Sequence, residues 1–399
     1  MSKIKTFERG YKLQIYPTQY QAEQIEKLFN YTRFVYNWGI AKEYELRKKY
    51  ENKESERSFY DFLDLAILFI SERKTNPNLS WTLEFPYGIS KLPLRNVSNG
   101  FKMFFKGKNP NIPHFKSKKY CKKSFNTRND TFNIKNGSVK FEGVETRVSI
   151  GFDFGIVVKN GDAMNPVVSK DYLGNYYISF NLIEKVNILD IPKTQGIGID
   201  LGVRQTFALS TGEIFNQPNE ILNKLERRRR KLQRHITRDI NRRLSESMRT
   251  RIKYENIPKS KQAIKRENKL NKIYRKIHNI KETYYHTTTK MIVERNPEFV
   301  CMETIHVKKL LHDPYIAKQI VNVSFFDITQ KMKHKCEERG IPFIQAPREF
   351  ASTKLCSNCG SVKEMYGYHT YKCPVCGMVE DRDINAAINL MNYGYTYFK

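Results

Sequence analysis

The chain has 399 residues, 40% of them hydrophobic, with 70 Lys and Arg against 41 Asp and Glu, a net charge of +29 and a pI near 9.7. That length exceeds one ordinary core and predicts two or three domains. A charge excess of this size carries a self-repulsion cost and calls for a polyanionic partner, nucleic acid first and an anionic membrane surface second. The 13% aromatic share, much of it Tyr and Phe among Lys and Arg, favours nucleic acid, because rings stack on bases while cations meet phosphates. A membrane-spanning role is excluded: the most apolar run, FYDFLDLAILFI at 59–70, is too short and contains Asp61 and Asp64. The first ten residues, MSKIKTFERG, lack the apolar centre of a signal peptide, so a cytoplasmic location is expected. Of seven cysteines, four form one compact pattern and Cys121, Cys301 and Cys336 are scattered, which suits a reducing compartment and metal rather than disulfides.

In chain order, GYKLQIY at 10–16 alternates as a strand does. Thr18 then opens a helix, with Gln21 placed to complete a capping box. Ile25, Leu28, Phe29, Val35 and Trp38 follow at helical spacing. Further helices are expected over 59–71 and 92–106, the latter with Leu94, Val97, Phe101, Phe104 and Phe105 on one face. The Pro-punctuated segment 109–128 is strongly basic. Lys116, Lys118, Lys119, Lys122, Lys123 and Arg128 read as phosphate contacts, against the alternative of a solvated linker. Residues 131–183 look all-β, with hairpin signals at Asn136-Gly137 and at Leu173-Gly174-Asn175.

A buried strand is predicted at 196–200, followed by a hairpin through Ser210-Thr211-Gly212. Residues 220–255 are the most basic stretch and read as one long helix that breaks near Pro258. Arg227, Arg228, Arg229, Arg230 and Arg234 lie on it. So many like charges on one helix repel, and a phosphate backbone removes that penalty. A second helix carries Leu270, Ile273, Tyr274, Ile277, Ile280 and Tyr284 on one face. The strand EFVCMETI at 298–305, a helix near 316–339 and the strand IPFIQA complete a core.

Two features carry chemistry. Cys356-x-x-Cys359 and Cys373-x-x-Cys376 lie thirteen residues apart and form two knuckles with four thiolates, a closed tetrahedral site for one structural Zn²⁺. Asp200 and Glu303 lie at or near the ends of apolar runs that read as buried strands, Asp383 lies where a helix is expected to start, and buried carboxylates are costly without a partner. If they converge they need a cation between them, and Mg²⁺ prefers such oxygen ligands. Taken singly, such an acid is usually just solvated, and it is their order and context that raise the catalytic reading.

The succession of strand-Asp, long basic insertion, strand-Glu, cysteine module and Asp-x-Asn-Ala-Ala resembles the RuvC-type nuclease core of the TnpB family, encoded by insertion sequences and related to type V CRISPR effectors. YPTQYQAEQIEKLFNYTRFVYNWGIA is similar to that family's N-terminal signature. The resemblance covers nearly the whole chain. It implies an α/β multidomain protein: a RuvC/RNase H-like nuclease core with an inserted zinc ribbon, a small β-barrel (wedge) domain and a helical recognition lobe. Residues 1–17 would give the first barrel strand, 18–108 the lobe, 109–192 the rest of the barrel, 193–351 the core with its helical insertion at 218–285, 352–379 the ribbon, and 380–399 the last core segment and tail.

The resemblance also implies a function: RNA-guided cleavage of DNA beside a short flanking motif. Asp200, Glu303 and Asp383 would hold two Mg²⁺ and the four cysteines one Zn²⁺. Arg382 and Asn385 read, from their place beside Asp383, either as supports of the metal ligands from behind or as capping or surface groups. Asp383 is selected over Glu380 and Asp381 by the family pattern. The implied partners are a guide RNA, double-stranded target DNA and a functionally associated transposase, with no membrane. The rival readings are a compact type V CRISPR effector, an RNA-guided repressor without cleavage, and a transposase.

Overall fold

The computed structural model describes residues 3–119, 121–151, 155, 157–188, 192–203, 205–253, 257–305, 323–364 and 369–397. The chain divides into two compact units, residues 6–184 and residues 185–399 with 1–5.

In the first unit, strand β1 (Lys3–Tyr16) lies inside a curled seven-stranded sheet. The others are β2 (Lys123–Asn126), β3 (Asn133–Lys135), β4 (Ser138–Lys140), β5 (Val148–Ile150), β6 (Met164–Lys170) and β7 (Tyr176–Ile188), and the order is β2-β6-β7-β1-β5-β4-β3. Asn136 and Gly137 both take positive φ, 49° and 62°, the conformation a two-residue hairpin needs to join β3 to β4. Between β1 and β2 come α1 (Gln19–Glu51), α2 (Phe62–Thr75), a 3-10 helix (Pro77–Glu84) and α3 (Tyr87–Phe105). Thr18 and Gln21 form the expected capping box, and Asp61 with Asp64 forms a second on α2. Helix α3 starts five residues before the expected 92 and runs through Pro93. Ile25, Leu28 and Phe29 of α1 share one core with Phe125, Val148 and Phe180 from the sheet and with Phe141 just after β4.

The second unit is built on a five-stranded mixed sheet. Its strands are β8 (Ile197–Asp200), β9 (Phe207–Leu209), β10 (Ile214–Phe215), β11 (Val300–Glu303) and β12 (Phe343–Ala346), in the order β10-β9-β8-β11-β12. β8-β9 and β9-β10 pair antiparallel, while β8-β11 and β11-β12 pair parallel. Every residue of β8 is buried, which explains its uninterrupted apolar character up to the acid.

Helices α4 (Asn219–Thr250) and α5 (Lys261–Glu294) connect β10 to β11. Leu222 and Leu225 of α4 pack on Ile273, Ile277 and Ile280 of α5. Helix α4 ends at Thr250, earlier than the expected break at Pro258, because Arg251 adopts a left-handed φ of 57°. Ser260 caps α5 by accepting from the backbone N–H of Ala263. Helix α6 (Phe325–Arg339) covers the later part of the helix expected near 316–339, whose start lies outside the described residues. Strands β13 (Thr370–Lys372) and β14 (Val379–Asp381) form a hairpin, and α7 (Arg382–Thr396) follows.

Candidate active site and cysteine module

Glu303 reaches Asp200 through strand register. β11 pairs with β8 so that Val300 faces Ile197 and Met302 faces Ile199. One step further along parallel strands sets Glu303 beside Asp200, with both side chains on one face. Helix α7 lies on the sheet with Ala386, Ala387 and Leu390 fully buried. Its backbone comes so close to β8 that a Cβ on Gly198 would sit 1.9 Å from the Ala387 carbonyl oxygen. Asp383 lies one helical turn before Ala387, and Asp200 two strand residues beyond Gly198. Each step covers about 6 Å, so one end of the sheet receives both acids.

The electrostatics agree with this placement. Burial pushes the Asp200 carboxyl well above the ordinary carboxylate range, and the charges of Glu303 and then Asp383 push it further, against the opposing pull of Arg382. Burial and then Asp383 raise Glu303 to about 7. Asp200 and Asp383 are 6% and 4% exposed. The Arg382 guanidinium donates to Asp383 Oδ1 from Nε at 3.0 Å and Nη2 at 2.8 Å. Asp381 caps α7 by accepting from the backbone N–H groups of Asp383 and Ile384 at 2.9 and 3.4 Å, a structural use of its carboxylate.

A set of buried, mutually repelling oxygen donors fits a hard divalent cation. Among the described residues, the four cysteines are the group whose ligand atoms all lie within 4.8 Å of one another.

The cysteine module repeats one turn twice. The Gly360 N–H donates to Cys356 O and the Gly377 N–H to Cys373 O, with both glycines at φ +74°. Cys356 Sγ lies 3.6 Å from Cys376 Sγ, and Cys359 Sγ 3.5 Å from Cys373 Sγ. Four thiolates at 2.3 Å from a tetrahedral ion would be about 3.8 Å apart, so the residues fit zinc. Backbone N–H of Cys376 and the Ser361 hydroxyl pull the Cys373 thiol down to about 5, toward the thiolate a metal requires.

Asn385 is tied to this module rather than to the carboxylates. Its Oδ1 accepts from the Ser357 N–H at 3.0 Å and its Nδ2 donates to Leu355 O at 2.7 Å. Asn389, absent from the sequence-derived site, donates to Ser352 O at 2.9 Å and Leu355 O at 2.7 Å. Its signal was available: two asparagines four apart among Ala386, Ala387 and Leu390 are polar groups on an apolar helix face.

The basic residues divide by partner. Lys118, Lys119 and Lys122 are exposed, as are Arg227, Arg228, Arg230 and Arg234 on α4. Lys123 pairs with Glu26 at 2.7 Å and Arg128 with Asp130. Lys116 stands 3.6 Å over the Tyr36 ring, and Arg229 donates to Glu226 at 2.8 Å and to the Tyr274 hydroxyl at 3.2 Å.

Two family models match the chain: a helix-turn-helix domain of the IS605 OrfB proteins over residues 7–53, and a Cas12f1-like TNB domain over 325–390. The first match spans most of β1 and the single helix α1, and the second runs from α6 through the cysteine module into α7. A Streptomyces pristinaespiralis protein is 27% identical over 98% of this chain and 90% of its own length, and is provisionally named an RNA-guided DNA endonuclease. These matches make the chain similar to the TnpB-like proteins and their relatives. A second relative matched over nearly its full length, Escherichia coli InsQ, carries the same provisional function in its name and is 23% identical over 97% of this chain and 92% of its own. The CRISPR-associated endodeoxyribonuclease Cas12f1 of Sulfoacidibacillus thermotolerans is 27% identical over 56% of this chain and 51% of its own. Among solved structures, Cas12f1 in a complex with guide RNA and target DNA shares the fold, with a TM-score of 0.50 and 14% identity over 97% of this chain and 99% of that one.

Proposed function

We propose that this TnpB-like chain is an RNA-guided, Mg²⁺-dependent DNA endonuclease encoded by an insertion sequence, cutting guide-matched DNA beside a short flanking motif. One observation carries the reading: three acids from stretches far apart in the sequence come to one end of the five-stranded sheet and repel one another, Asp200 and Asp383 buried and Glu303 half-buried. The strand order supports an RNase H-like, RuvC-type core, with β8, β9 and β10 as an antiparallel meander and β11 and β12 added in parallel. The names of the full-length relatives support the same activity.

In this reading Asp200, Glu303 and Asp383 hold two Mg²⁺, which would supply Lewis-acid stabilisation of charge at the scissile phosphate. Arg382 fixes the Asp383 carboxylate. The four cysteines hold one structural Zn²⁺ as a ribbon over 352–379. Arg227, Arg228, Arg230 and Arg234 of α4, with Lys118, Lys119 and Lys122, meet the phosphates of guide RNA and double-stranded target DNA. Residues 18–108 act as the recognition lobe, and 1–17 with 109–192 as the wedge. The protein works in the cytoplasm, at the nucleoid when it acts, alongside its element's transposase.

Phosphate contacts carry little sequence information, so site choice must come from base pairing with the guide. The test is cleavage of two plasmids, each matched to one guide. Exchanging the guide should redirect the cut with the same flanking motif still required. RNA-free protein should keep only salt-sensitive, nonspecific DNA binding. The same cut site with both guides would overturn the reading. The match to Cas12f1 favours a second reading, a compact CRISPR effector with the same chemistry, which a neighbouring CRISPR array in place of a transposase gene would establish.

A further inference from the structure

Two asparagines on the buried face of α7 hold the backbone of the first cysteine knuckle. Asn385 is 0% exposed and Asn389 1%, and between them they bind Ser352, Leu355 and Ser357 through four hydrogen bonds of 2.7–3.0 Å. Leu355 O accepts from both amides. In the other knuckle, the N–H groups of Val375 and Cys376 approach Cys373 Sγ at 3.4 Å, and the residue directly after Cys373 is Pro374, which has no N–H to give. Ser357 occupies the position equivalent to Pro374 and spends its N–H on Asn385. The bond from Ser357 is therefore not one the knuckle turn requires. It joins the knuckle to the helix whose first turn carries Asp383.

We infer that Asn385 and Asn389 are positioning residues that couple metal occupancy of the cysteine module to the placement of Asp383. The inference rests on the reading of Asp383 as a ligand of the catalytic cation. Asn385 is bonded at both ends of its amide and Asn389 donates twice from Nδ2, so neither can slide along its partners without leaving a buried polar group unpaired. An ordered knuckle thus fixes the register of α7 over β8, and with it the distance from Asp383 to Asp200 and Glu303. Loss of zinc frees residues 352–357, and the helix start loses its outer support.

The experiment uses the full-length chain freed of nucleic acid, with zinc counted by mass spectrometry and Mn²⁺ binding followed by electron paramagnetic resonance. In the wild type, stripping zinc with a selective chelator should weaken Mn²⁺ binding about tenfold, within the range of ordinary coupling energies. Asn389→Ala should keep its zinc, bind Mn²⁺ about tenfold more weakly from the start, and no longer respond to zinc removal. In the guide-loaded complex its kcat should fall while KM for DNA holds. Ser357→Pro removes the bond to Asn385 from the knuckle side without touching α7, and it decides the matter if Asn389→Ala does not fold. Wild-type Mn²⁺ affinity in a folded Ser357→Pro protein that still responds to zinc removal would overturn the inference. Asp383→Ala binding Mn²⁺ as the wild type does would overturn the ligand assignment, and the inference with it.

Discussion

Gly198 and Ala387 touch through their backbones: a Cβ on Gly198 would lie 1.9 Å from Ala387 O and 2.4 Å from the Met391 nitrogen. Neither atom belongs to a flexible side chain, so the helix itself would have to move. Glycine is required here for close approach, and the approach sets where α7 delivers Asp383.

Gly198→Ala should therefore lower stability by about 1–3 kcal/mol, the usual cost of overpacking a dense core. It should lower nuclease turnover far more than target binding, because the displaced group is a proposed metal ligand. Thermal unfolding and cleavage kinetics on one preparation check both halves. Wild-type turnover would show that α7 reaches its place by other means.

Asp200→Ala, Glu303→Ala and Asp383→Ala should each abolish Mg²⁺-dependent cleavage while guide and target binding persist. Removing a carboxylate removes charge stabilisation at the reacting phosphate and leaves the basic surface of α4 intact. Binding and cutting measured side by side separate the two. A fully active Asp383→Ala protein would return Glu380 or Asp381 to consideration.

Purified protein should carry about one zinc per chain, because four thiolates close one site. Cys373→Ser should lower zinc content and activity together, since the module folds around its metal. Metal analysis alongside cleavage checks this, and metal-free wild type with normal activity would sink it.

In the N-terminal unit, Glu43 of α1 is fully buried, with Oε2 accepting from the Tyr60 N–H at 3.0 Å. Burial, and then Asp64, push its carboxyl up to about 7, against the opposing Tyr60 bond. A raised carboxyl means the folded state binds the proton more tightly than the unfolded state. Its contribution is fully present below about 4.5 and is lost as pH rises through about 7. Glu43→Gln should flatten the fall in stability across that window and raise stability at pH 8. Denaturant titrations from pH 5 to 8 test it, and an unchanged slope would refute it.

Much of the local structure was legible because its causes are local. Thr18 with Gln21, Asn136-Gly137, and the Cys-x-x-Cys-Gly pairs each act within a few residues, through capping, positive φ and knuckle hydrogen bonds. The end of α4 was misplaced because Arg251, not Pro258, takes the left-handed conformation, and nothing in the arginine's neighbours announces it. Asp200, Glu303 and Asp383 stood out by the oddity of acids beside apolar runs. What joins them did not, because it lies in the register of β11 on β8 and in a helix seated on a glycine.

The sequence by itself determined the net charge, the cysteine spacing and the identity of the acids, since these are properties of composition and short separation. Only the tertiary structure decided that Arg229 faces Glu226 and Tyr274 while its neighbours on α4 are exposed, and that Asn385 and Asn389 serve the cysteine knuckle instead of the carboxylates. A side chain's partner depends on which distant backbone reaches its face of the helix. That is settled by packing, in which every element must be buried and every buried amide satisfied at once.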